Sequence, residues 1–405
     1  MTPIYLLERY IPDYISLSLQ LALIYVLSTI SFDLVHVVLH RFAKSKHGVL
    51  RRLGMLHETH HQWFGPSLQH ERSLDVLNIM HHRVPEYLNQ LAVTLLFLAV
   101  CSPVAVGLIA LVHTIALGVT IAQRGVDINH QPSSRLKHPR GHIFVGPSYH
   151  YLHHVYAESH MGSFVQTLDK IMGTCVHLEG QRIVMTGASG AYGSAMKALL
   201  EDSGAVVIPL KYGQDYDYND YSRILDVLSS ADILVLAHGV KSGPTMAANC
   251  NSFVQMIELF KDLTKARLIP PQVWAVGSEI ELHSSFGIPE LEAYAQSKRA
   301  FAAHAKNYYR DEDILYRHIV PSAFTSRMGR GLISASLAAW WTMWLIRRGC
   351  RYVPVTYTGV AYVNYLKFLS IPGIFSQNTQ SGKNTAGVGI VTTHPVIGDD
   401  YQISA

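Results

Sequence analysis

The chain has 405 residues, enough for two domains that each bury a core of their own. Its formal net charge of +4, from 33 basic and 29 acidic residues, is too small for a concentrated basic stripe and excludes nucleic acid as an expected partner. Charged residues make up only 15% of the chain and hydrophobic residues 49%, which is more apolar than an ordinary globular protein and indicates a membrane.

Cysteine and histidine are distributed very differently along the chain. The four cysteines lie far apart without a CxxC spacing, which argues against a zinc ribbon or a disulfide framework and indicates a reducing, cytoplasmic compartment. Of the 23 histidines, 18 fall between His36 and His177. Such an uneven distribution predicts a local function for histidine in the first half of the chain.

Two apolar stretches are the first predicted elements. Residues 15–39 are long enough, at about 1.5 Å per residue, to cross a hydrocarbon core of about 30 Å. Residues 88–122 are apolar again, with a break at Ser102 and Pro103, and predict a helical hairpin that enters the membrane and returns. Basic residues follow both stretches, so we expect an integral, multi-pass membrane protein whose histidine-rich segments face the cytoplasm.

Three histidine clusters lie beside these stretches. In each cluster the histidines are three or four residues apart, so on a helix they share one face. A set made only of imidazoles suits zinc, copper, iron or nickel rather than magnesium or calcium. The clusters are His36 and His40, then His57, His60 and His61, and then His150, His153 and His154.

The motifs HVVLH, HETHH and HYLHH, with the later segment SHMGSFVQTLDKIMGT, resemble the fatty acid hydroxylase/sterol desaturase superfamily over residues 15–178. The resemblance implies that the eight clustered histidines bind two iron ions at the cytoplasmic mouth of a helical membrane domain. It also implies a lone histidine ligand between the second and third motifs, for which we choose His130, with Asp127 and His113 as alternatives. Six further histidines are expected to lie behind the ligands or on the surface: His70, His81, His82, His138, His142 and His160.

The chemistry implied by two irons is the activation of O2. The oxidant formed can attack an unactivated C–H bond, which no side chain can do alone, so a lipid substrate entering from the bilayer is expected. Hydroxylation is the simplest outcome, and desaturation or reaction with an aldehyde stays open. The sequence contains no cytochrome or ferredoxin motif, so a separate protein is expected to donate electrons.

From Arg182 onward the pattern changes to alternating strands and helices. The run RIVMTGASGAYGSAMKALLEDSGAVVIPL predicts a strand, a glycine-rich turn, a helix and a second strand. Further strands are predicted at 232–237, 273–277 and 314–320, with helices at 249–265 and 290–309 between them. The expected fold class is therefore an α-helical membrane domain with histidine boxes, followed by an α/β Rossmann-type doubly wound parallel sheet.

The glycine-rich turn predicts a dinucleotide site. Glycines let the backbone approach a pyrophosphate, and the N-terminus of the following helix favours its charge. Ala237 and Gly239, after a later strand, are placed for the nicotinamide side, and Tyr294 and Lys298 lie one helical turn apart. The predicted turn contacts are Gly187, Ser189, Gly190 and Gly193.

Together these motifs resemble the short-chain dehydrogenase/reductase family over residues 182–365. The resemblance implies that Tyr294 is the general acid/base, Lys298 lowers its pKa, Ser278 orients a carbonyl and Asn249 supports a proton relay. The sequence departs from the family pattern by Ala191 in the turn, by Ala-His-Gly in place of Asn-Ala-Gly and by a Ser-to-Tyr gap of 16 residues.

Lys211 stands where an acidic residue would bind the ribose of NAD, which favours NADP over NAD. The predicted domains are the membrane di-iron domain at 1–178, the NAD(P)-binding domain at 179–371 and a disordered tail at 372–405.

This order of parts resembles that of bacterial bifunctional sterol desaturase/short-chain dehydrogenase proteins. The leading hypothesis is a bifunctional lipid-modifying enzyme, in which a lipid oxidised at the irons is oxidised or reduced again by the second domain. The alternative is a lipid oxygenase whose Rossmann domain is a non-catalytic binding module. A zinc hydrolase would need a carboxylate beside the histidines, for which Glu58 and Glu158 qualify by position, and a metal-storage protein would not need a reductase domain.

Overall fold

The first half of the chain is built from helices. The computed structural model describes residues 14–139, 143–283, 285 and 287–370, so His142 and the tail predicted at 372–405 lie outside the described residues. The helices of this half are α1 (Tyr14–Ala43), α2 (Gly48–Trp63), α3 (Asp75–Asn78), α4 (Val84–Leu96), α5 (Pro103–Ala122), α6 (Pro147–Val155) and α7 (Thr167–Met172).

Two of these helices, α1 and α5, are long and apolar enough, by length and composition alone, to cross a membrane. They pack on each other and on α4, while outward side chains such as Leu19, Leu111 and Ile115 stay exposed. The predicted break is present, because Ser102 accepts a hydrogen bond from the backbone N–H of Ala105 and so caps α5. With only 13 residues, α4 is shorter than the roughly 17–25 residues a span needs, so the expected hairpin has one long and one short arm.

A π-helical turn, Ile79–Arg83, joins α3 to α4. A π turn inserts an extra residue into the helical repeat and shifts which side chains face inward. Here the adjacent His82 and Arg83 are both buried. The turn therefore adds an imidazole and a cation to the interior of the helical half.

The second half is a parallel sheet covered by helices. Six parallel strands pair in the order β2-β1-β3-β4-β5-β8, and β6 and β7 form a separate parallel pair. The strands are β1 (Arg182–Thr186), β2 (Val206–Leu210), β3 (Ile233–Leu236), β4 (Gln272–Val276), β5 (Leu315–Pro321), β6 (Phe324–Thr325), β7 (Ile333–Ser334) and β8 (Tyr352–Val355). The helices are α8 (Ala191–Glu201), α9 (Leu225–Ser230), α10 (Ser252–Thr264), α11 (Pro289–Arg310), α12 (Ala335–Arg347) and α13 (Val360–Ser370).

Alternating residues of the strands enter two different cores. In β1, Val184 belongs to one core, while Ile183 and Met185 belong to the core on the other face. Both faces are covered, as the continuous apolar strands of a parallel sheet require. The sheet is therefore doubly wound and Rossmann-like, as the sequence predicts.

The sheet ends at β2, whereas the 3-2-1-4-5-6 Rossmann order has a further strand outside that position. Pro209 lies in β2, which suits an edge strand because proline cannot donate to a neighbour. Instead of another helix and strand, the segment after β2 carries isolated bridges, Tyr212 to Tyr216 and Asp217 to Asp220. The order change between β1 and β3 still provides the crevice at which such sheets bind ligands.

The helical half packs against the amino-terminal edge of the sheet. The backbone N–H of Leu136 donates to the carbonyl of Leu268 at 2.8 Å, just before β4. Arg135 pairs with Asp313 at 2.8 Å, just before β5. The opposite edge, where the strands end, is thus left for the dinucleotide site.

Candidate functional site

The predicted histidines meet in two adjacent groups inside the helical half. In each group, one ligand atom from every side chain lies within 4.8 Å of all the others. The rings of His61 and His154, one from each group, are 4.8 Å apart between centroids. The first group is His36, His40, His57, His61 and His153, and the second is His60, His130, His150 and His154.

The second group places bare nitrogen lone pairs against each other. The Nδ1–H of His60 donates to the Asn78 Oδ1 at 2.8 Å. The Nδ1 of His130 lies 2.6 Å from the Asp127 Oδ1 and 2.9 Å from an Arg83 nitrogen, and the shorter contact with an anion assigns its proton to the bond with Asp127. A neutral ring that donates through Nδ1 has an unprotonated Nε2. The two Nε2 atoms nevertheless lie 3.0 Å apart, with the Nε2 atoms of His150 and His154 3.0 and 3.1 Å from that of His130.

A cation resolves this repulsion. With metal–nitrogen bonds of about 2.1 Å, two ligands at right angles would stand roughly 3.0 Å apart. The separations in the second group therefore fit a transition metal bound by imidazole.

The first group has unsatisfied nitrogens of the same kind. The Nδ1 of His153 donates to the carbonyl of Ser159 at 3.0 Å, and the Nδ1 of His36 donates to that of Met161 at 3.1 Å. The Nε2 atoms of His57 and His153 are buried without a hydrogen-bond partner. Buried polar atoms without partners are rare in proteins, so these nitrogens also fit a metal ion.

A carboxylate fixes the loop that orients these rings. Asp169 accepts hydrogen bonds from the backbone N–H groups of Met161 and Gly162, and from the hydroxyl of Thr174. The loop carries the carbonyls that orient His36 and His153. The run SHMGSFVQTLDK thus has a local physical role, which is to hold the ligand rings in one orientation.

Burial keeps the clustered histidines neutral. It lowers the pKa of His57, His60, His61 and His150 well below the ordinary value, and lowers that of His153 to about 4. Burial tends to raise the pKa of Asp127, but Arg83 and His130 outweigh it and hold the pKa well below its usual range. Neutral imidazoles are the form that binds metal, and the anionic Asp127 fixes the tautomer of His130.

Of the three candidates for the lone position, the structure brings only His130 into a group. Asp127 contacts the outer nitrogen of His130 and pairs with Arg83 at 2.8 Å. His113 lies apart, with its Nε2 3.1 Å from the Ser28 hydroxyl. The roles of all nine histidines as ligands stay predictions, but their convergence is a structural fact.

The sequence did not single out His82 as part of this centre. Its ring stacks on that of His60 with centroids 3.7 Å apart, and its Nδ1 is 3.2 Å from the Nδ1 of His57. No spacing rule could place it there, because the π turn shifts the helical register. The remaining histidines lie elsewhere: His70 bonds to the carbonyl of His130, His81 to Thr59, His138 to the carbonyl of Pro271 and His160 to Ser159.

The glycine-rich turn lies at the carboxyl end of β1. Gly187 has a φ of +71°, and a Cβ on it would meet the backbone of Ala237 at 2.5 Å. A Cβ on Gly193 would lie 2.0 Å from the carbonyl oxygen of Gly187. Only glycine therefore fits at these two positions, and α8 begins directly after the turn.

A cavity of about 860 Å³ extends along this edge of the sheet. Most of the residues predicted for the dinucleotide and for catalysis line it: Gly187, Ser189, Gly190, Gly193, Ala237, Gly239, Ser278, Tyr294 and Lys298. The cavity thus collects the ends of β1, β3 and β4 and one face of α11, as a ligand site in an open parallel sheet requires.

Tyr294, Ser278 and Lys298 form the polar centre of this cavity. Burial raises the pKa of Tyr294, and a hydrogen bond with Ser278 opposes the shift. The Lys298 ammonium donates to the carbonyl of Val276 at 2.9 Å, and burial lowers its pKa to about 8. A phenol, a hydroxyl and a cation therefore meet at one place.

Two predicted residues do not reach the cavity. The Asn249 side chain bonds to both backbone groups of Val240, at 2.8 and 2.9 Å, and to Ser297 at 3.0 Å, so its amide holds the chain after β3. Lys211 is exposed and outside the cavity lining, and its backbone N–H donates to the Asp215 carboxylate at 2.7 Å. Lys211 directly follows β2, as the sequence has it, and the Asp215 carboxylate lies beside the same strand end.

Two groups of polar side chains at the cavity were not predicted, one buried behind it around Glu281 and one in its wall at His238. Glu281 accepts from the Nε2 of His318 at 2.8 Å, and the Nδ1 of His318 is 3.0 Å from the Tyr316 hydroxyl. His238, in the Ala-His-Gly segment, lies 2.7 Å from the Thr186 hydroxyl and 2.8 Å from that of Ser252. The unusual histidine is thus held between β1 and α10, and no sequence signal pairs it with residues so far away.

The protein therefore combines a histidine-rich helical half with a Rossmann-like half. The cavity of the second half lies where such sheets bind dinucleotides. No family model matches the chain. It is 27% identical over 289 residues to a monoglucosyldiacylglycerol epimerase from Synechocystis sp., an alignment that covers 63% of this chain and 69% of that protein.

Among solved structures, a short-chain dehydrogenase from Burkholderia cenocepacia in complex with NADP is 15% identical, with a TM-score of 0.40, covering 48% of this chain and 96% of its own. A short-chain dehydrogenase/reductase from Burkholderia phymatum in complex with NAD is 13% identical, with a TM-score of 0.38. The match covers 53% of this chain and 100% of that one. The strand order and the glycine-rich turn, rather than these likenesses, define the fold of the second half.

Proposed function

We propose that the chain is a membrane-bound non-haem di-iron oxidoreductase that acts with O2 on a lipid, joined to an NAD(P)-dependent alcohol/carbonyl dehydrogenase-reductase domain. The observation that carries the proposal is the convergence of nine neutral histidines in two adjacent groups, with lone pairs facing each other. The lipid enters from the bilayer, a separate protein donates electrons, and both sites face the cytoplasm.

Two bound irons would supply O2 activation, and a bound nicotinamide would supply hydride transfer, neither of which a side chain provides. The residues of the chain do the rest in the first half. Asp127 fixes the tautomer of His130, Asn78 fixes that of His60, and Asp169 holds the loop that orients His36 and His153. The buried, neutral imidazoles offer nitrogen ligands, which suit iron and other transition metals rather than magnesium or calcium.

In the second half, the residues around the cavity would bind and orient a dinucleotide and move one proton. Gly187 and Gly193 allow the backbone to approach the pyrophosphate at the start of α8. Tyr294 would take the proton of a lipid alcohol, with Ser278 holding the oxygen and the Lys298 cation favouring the phenolate. The presence of Tyr294, Ser278 and Lys298 together in the cavity favours catalysis over the alternative of a non-catalytic binding module.

A second candidate is epimerisation at a sugar hydroxyl of a glycolipid. The Synechocystis relative is named a monoglucosyldiacylglycerol epimerase, and the same Tyr294 centre suits that reaction. The alcohol would be oxidised to a ketone, with its hydride passing to NAD(P)+ and its proton to Tyr294, and the reverse transfer to the other face of the ketone would give the epimer. This cycle is redox-neutral and needs no external reductant.

Lipid mass spectrometry of cells that produce the full chain tests these proposals together. Hydroxylation adds one oxygen to a lipid, whereas desaturation removes two hydrogens. Both mass changes should disappear in His57→Ala. Alcohol oxidation also removes two hydrogens, but this change should disappear in Tyr294→Phe. Epimerisation leaves the mass unchanged, so it should appear as a chromatographic shift that depends on Tyr294.

Matched variants separate site effects from folding effects. His113→Ala removes a buried histidine outside both groups, and Tyr221→Phe removes a phenol outside the cavity. Both should behave like the wild-type chain. A lipid profile that does not differ between producing and non-producing cells would contradict the proposed enzyme.

A further inference from the structure

A second cavity, of about 310 Å³, lies between the two halves at the amino-terminal edge of the sheet. Tyr149, His160 and Cys175 line it from the helical half, and Arg317 and Arg351 line it from the sheet. The proposed lipid and dinucleotide chemistry uses none of these side chains. The dinucleotide cavity lies at the opposite edge, where the strands end.

Arg317 is a buried cation without a buried anion. Its side chain points from β5, the residue is only 2% exposed, and one nitrogen donates to the carbonyl of Cys350 at 2.7 Å. Its Nε is buried without any partner. Among the described residues, no carboxylate forms an ion pair with this guanidinium. Leaving a buried charge unpaired is costly, so the site favours an anion.

The charged residues that line the cavity are mostly positive, like Arg317. Its lining contains three arginines but only one aspartate, and that aspartate, Asp232, is engaged by Arg267 at 3.2 Å. Arg351 lies over the Tyr309 ring at 4.3 Å and donates to the carbonyl of Tyr316. Burial, together with the nearby Arg351 cation, lowers the pKa of Arg317 only to about 10, so Arg317 stays charged at neutral pH.

We propose that this cavity binds a small soluble oxyanion, the phosphate or carboxylate group of a polar metabolite, between the two halves of the chain. The guanidinium of Arg317, with its rigid fork of donors, is the primary contact, and Arg351 adds a second positive charge. Because the cavity walls come from both halves, the bound anion strengthens their contact and stabilises the whole chain. The volume admits a molecule larger than phosphate alone.

Thermal unfolding of the full-length protein in detergent tests the site, with inorganic phosphate and citrate as probes and chloride at equal ionic strength as the reference. NADPH is present throughout, so that phosphate does not report on the glycine-rich turn. Phosphate or citrate should raise the unfolding temperature of the wild-type chain in a saturable manner. The apparent affinity should fall at least tenfold in Arg317→Met and stay within twofold in Arg223→Met, an exposed arginine away from the cavity.

The wild-type chain provides a second measurement that does not depend on the folding of a variant. Cys175 lines the cavity and is buried, so a reagent reaches it when the contact between the two halves opens locally, whereas the half-buried Cys101 lies at the break before α5. The bound anion should slow alkylation of Cys175 at least threefold and leave that of Cys101 unchanged. The proposal would be overturned if neither phosphate nor citrate raised the unfolding temperature, or if they raised it equally in Arg317→Met. It would also be overturned if Cys175 were labelled equally with and without the anions. A response to phosphate but not to citrate would assign the ligand as a phosphate compound, and the reverse as a carboxylate.

Discussion

Two unprotonated imidazole nitrogens at 3.0 Å, like those of His60 and His130, repel each other unless a cation lies between them. We therefore expect His150→Ala and His57→Ala, one from each group, to lose most of their bound transition metal. The wild-type chain should retain about two irons. Elemental analysis of the purified protein measures this directly.

The matched control for these variants is His113→Ala. His113 is also a buried histidine of the helical half, but it bonds to Ser28 outside both groups. Its loss should leave the iron content unchanged. Equal loss of iron in the control and in the cluster variants would show that the histidines affect folding rather than metal binding.

The lowered pKa of Lys298 predicts the pH dependence of the alcohol oxidation that we propose for the sheet half. Burial lowers that pKa to about 8, so the ammonium is charged below pH 8 and loses its proton above it. The phenolate of Tyr294 loses its neighbouring cation in the same range, so kcat/KM for the alcohol should decline above about pH 8. In Lys298→Arg the charge persists, and the decline should move to higher pH. An identical pH profile in both proteins would exclude Lys298 as its source.

A site residue could be predicted correctly when its position follows from neighbours in the sequence, and not when it follows from distant parts of the fold. His57, His60 and His61 share a helix face by spacing alone, so their convergence could be predicted. Asn249 and Lys211 could not be placed, because their positions depend on where Val240 and Asp215 lie in the fold. The same is true of Arg317, whose burial no sequence pattern indicates.

The close contact of Gly193, in the first turn of α8, with Gly187 predicts that one added methyl group destabilises the sheet half. A Cβ on Gly193 would stand 2.0 Å from the carbonyl of Gly187, so Gly193→Ala should destabilise the sheet half by about 1–3 kcal/mol and weaken dinucleotide binding. Gly107→Ala in α5 is the control, because a Cβ there meets nothing within 4 Å and the substitution should be neutral or slightly stabilising. Chemical denaturation, with NADPH fluorescence for binding, measures both. Equal stability in the two variants would contradict the close packing of this turn.

Strands and helices of the second half begin and end within a few residues of their predicted bounds. The strand predicted at 314–320 is Leu315–Pro321, and the helix predicted at 290–309 is Pro289–Arg310. Continuous apolar runs between polar turns are strong local signals. The π turns at 79–83 and 247–251 were not predicted, because an inserted residue leaves no trace in a sequence periodicity. The sequence also did not indicate that, among the described residues, no strand pairs with the outer side of β2.

For the whole molecule, the position of the two sites predicts that they bind their ligands independently. The histidine groups lie in the helical half, and the dinucleotide cavity lies at the far edge of the sheet. We therefore expect His57→Ala to bind NADPH with wild-type affinity, and Tyr294→Phe to keep its iron. Fluorescence titration and elemental analysis of both variants measure this. A loss of both ligands in either variant would indicate that the two halves fold as one cooperative unit.

The sheet that separates the two sites also limits how a common substrate could use them. Under the proposed function, a lipid oxidised in the helical half would have to travel from the amino-terminal edge of the sheet to its carboxyl edge in order to reach Tyr294. The intermediate would have to leave, diffuse in the bilayer and be captured again, by the same chain or by another copy. A time course should then show a lag before the final product, and an added competing lipid should intercept the intermediate, as in a relay between two separate enzymes.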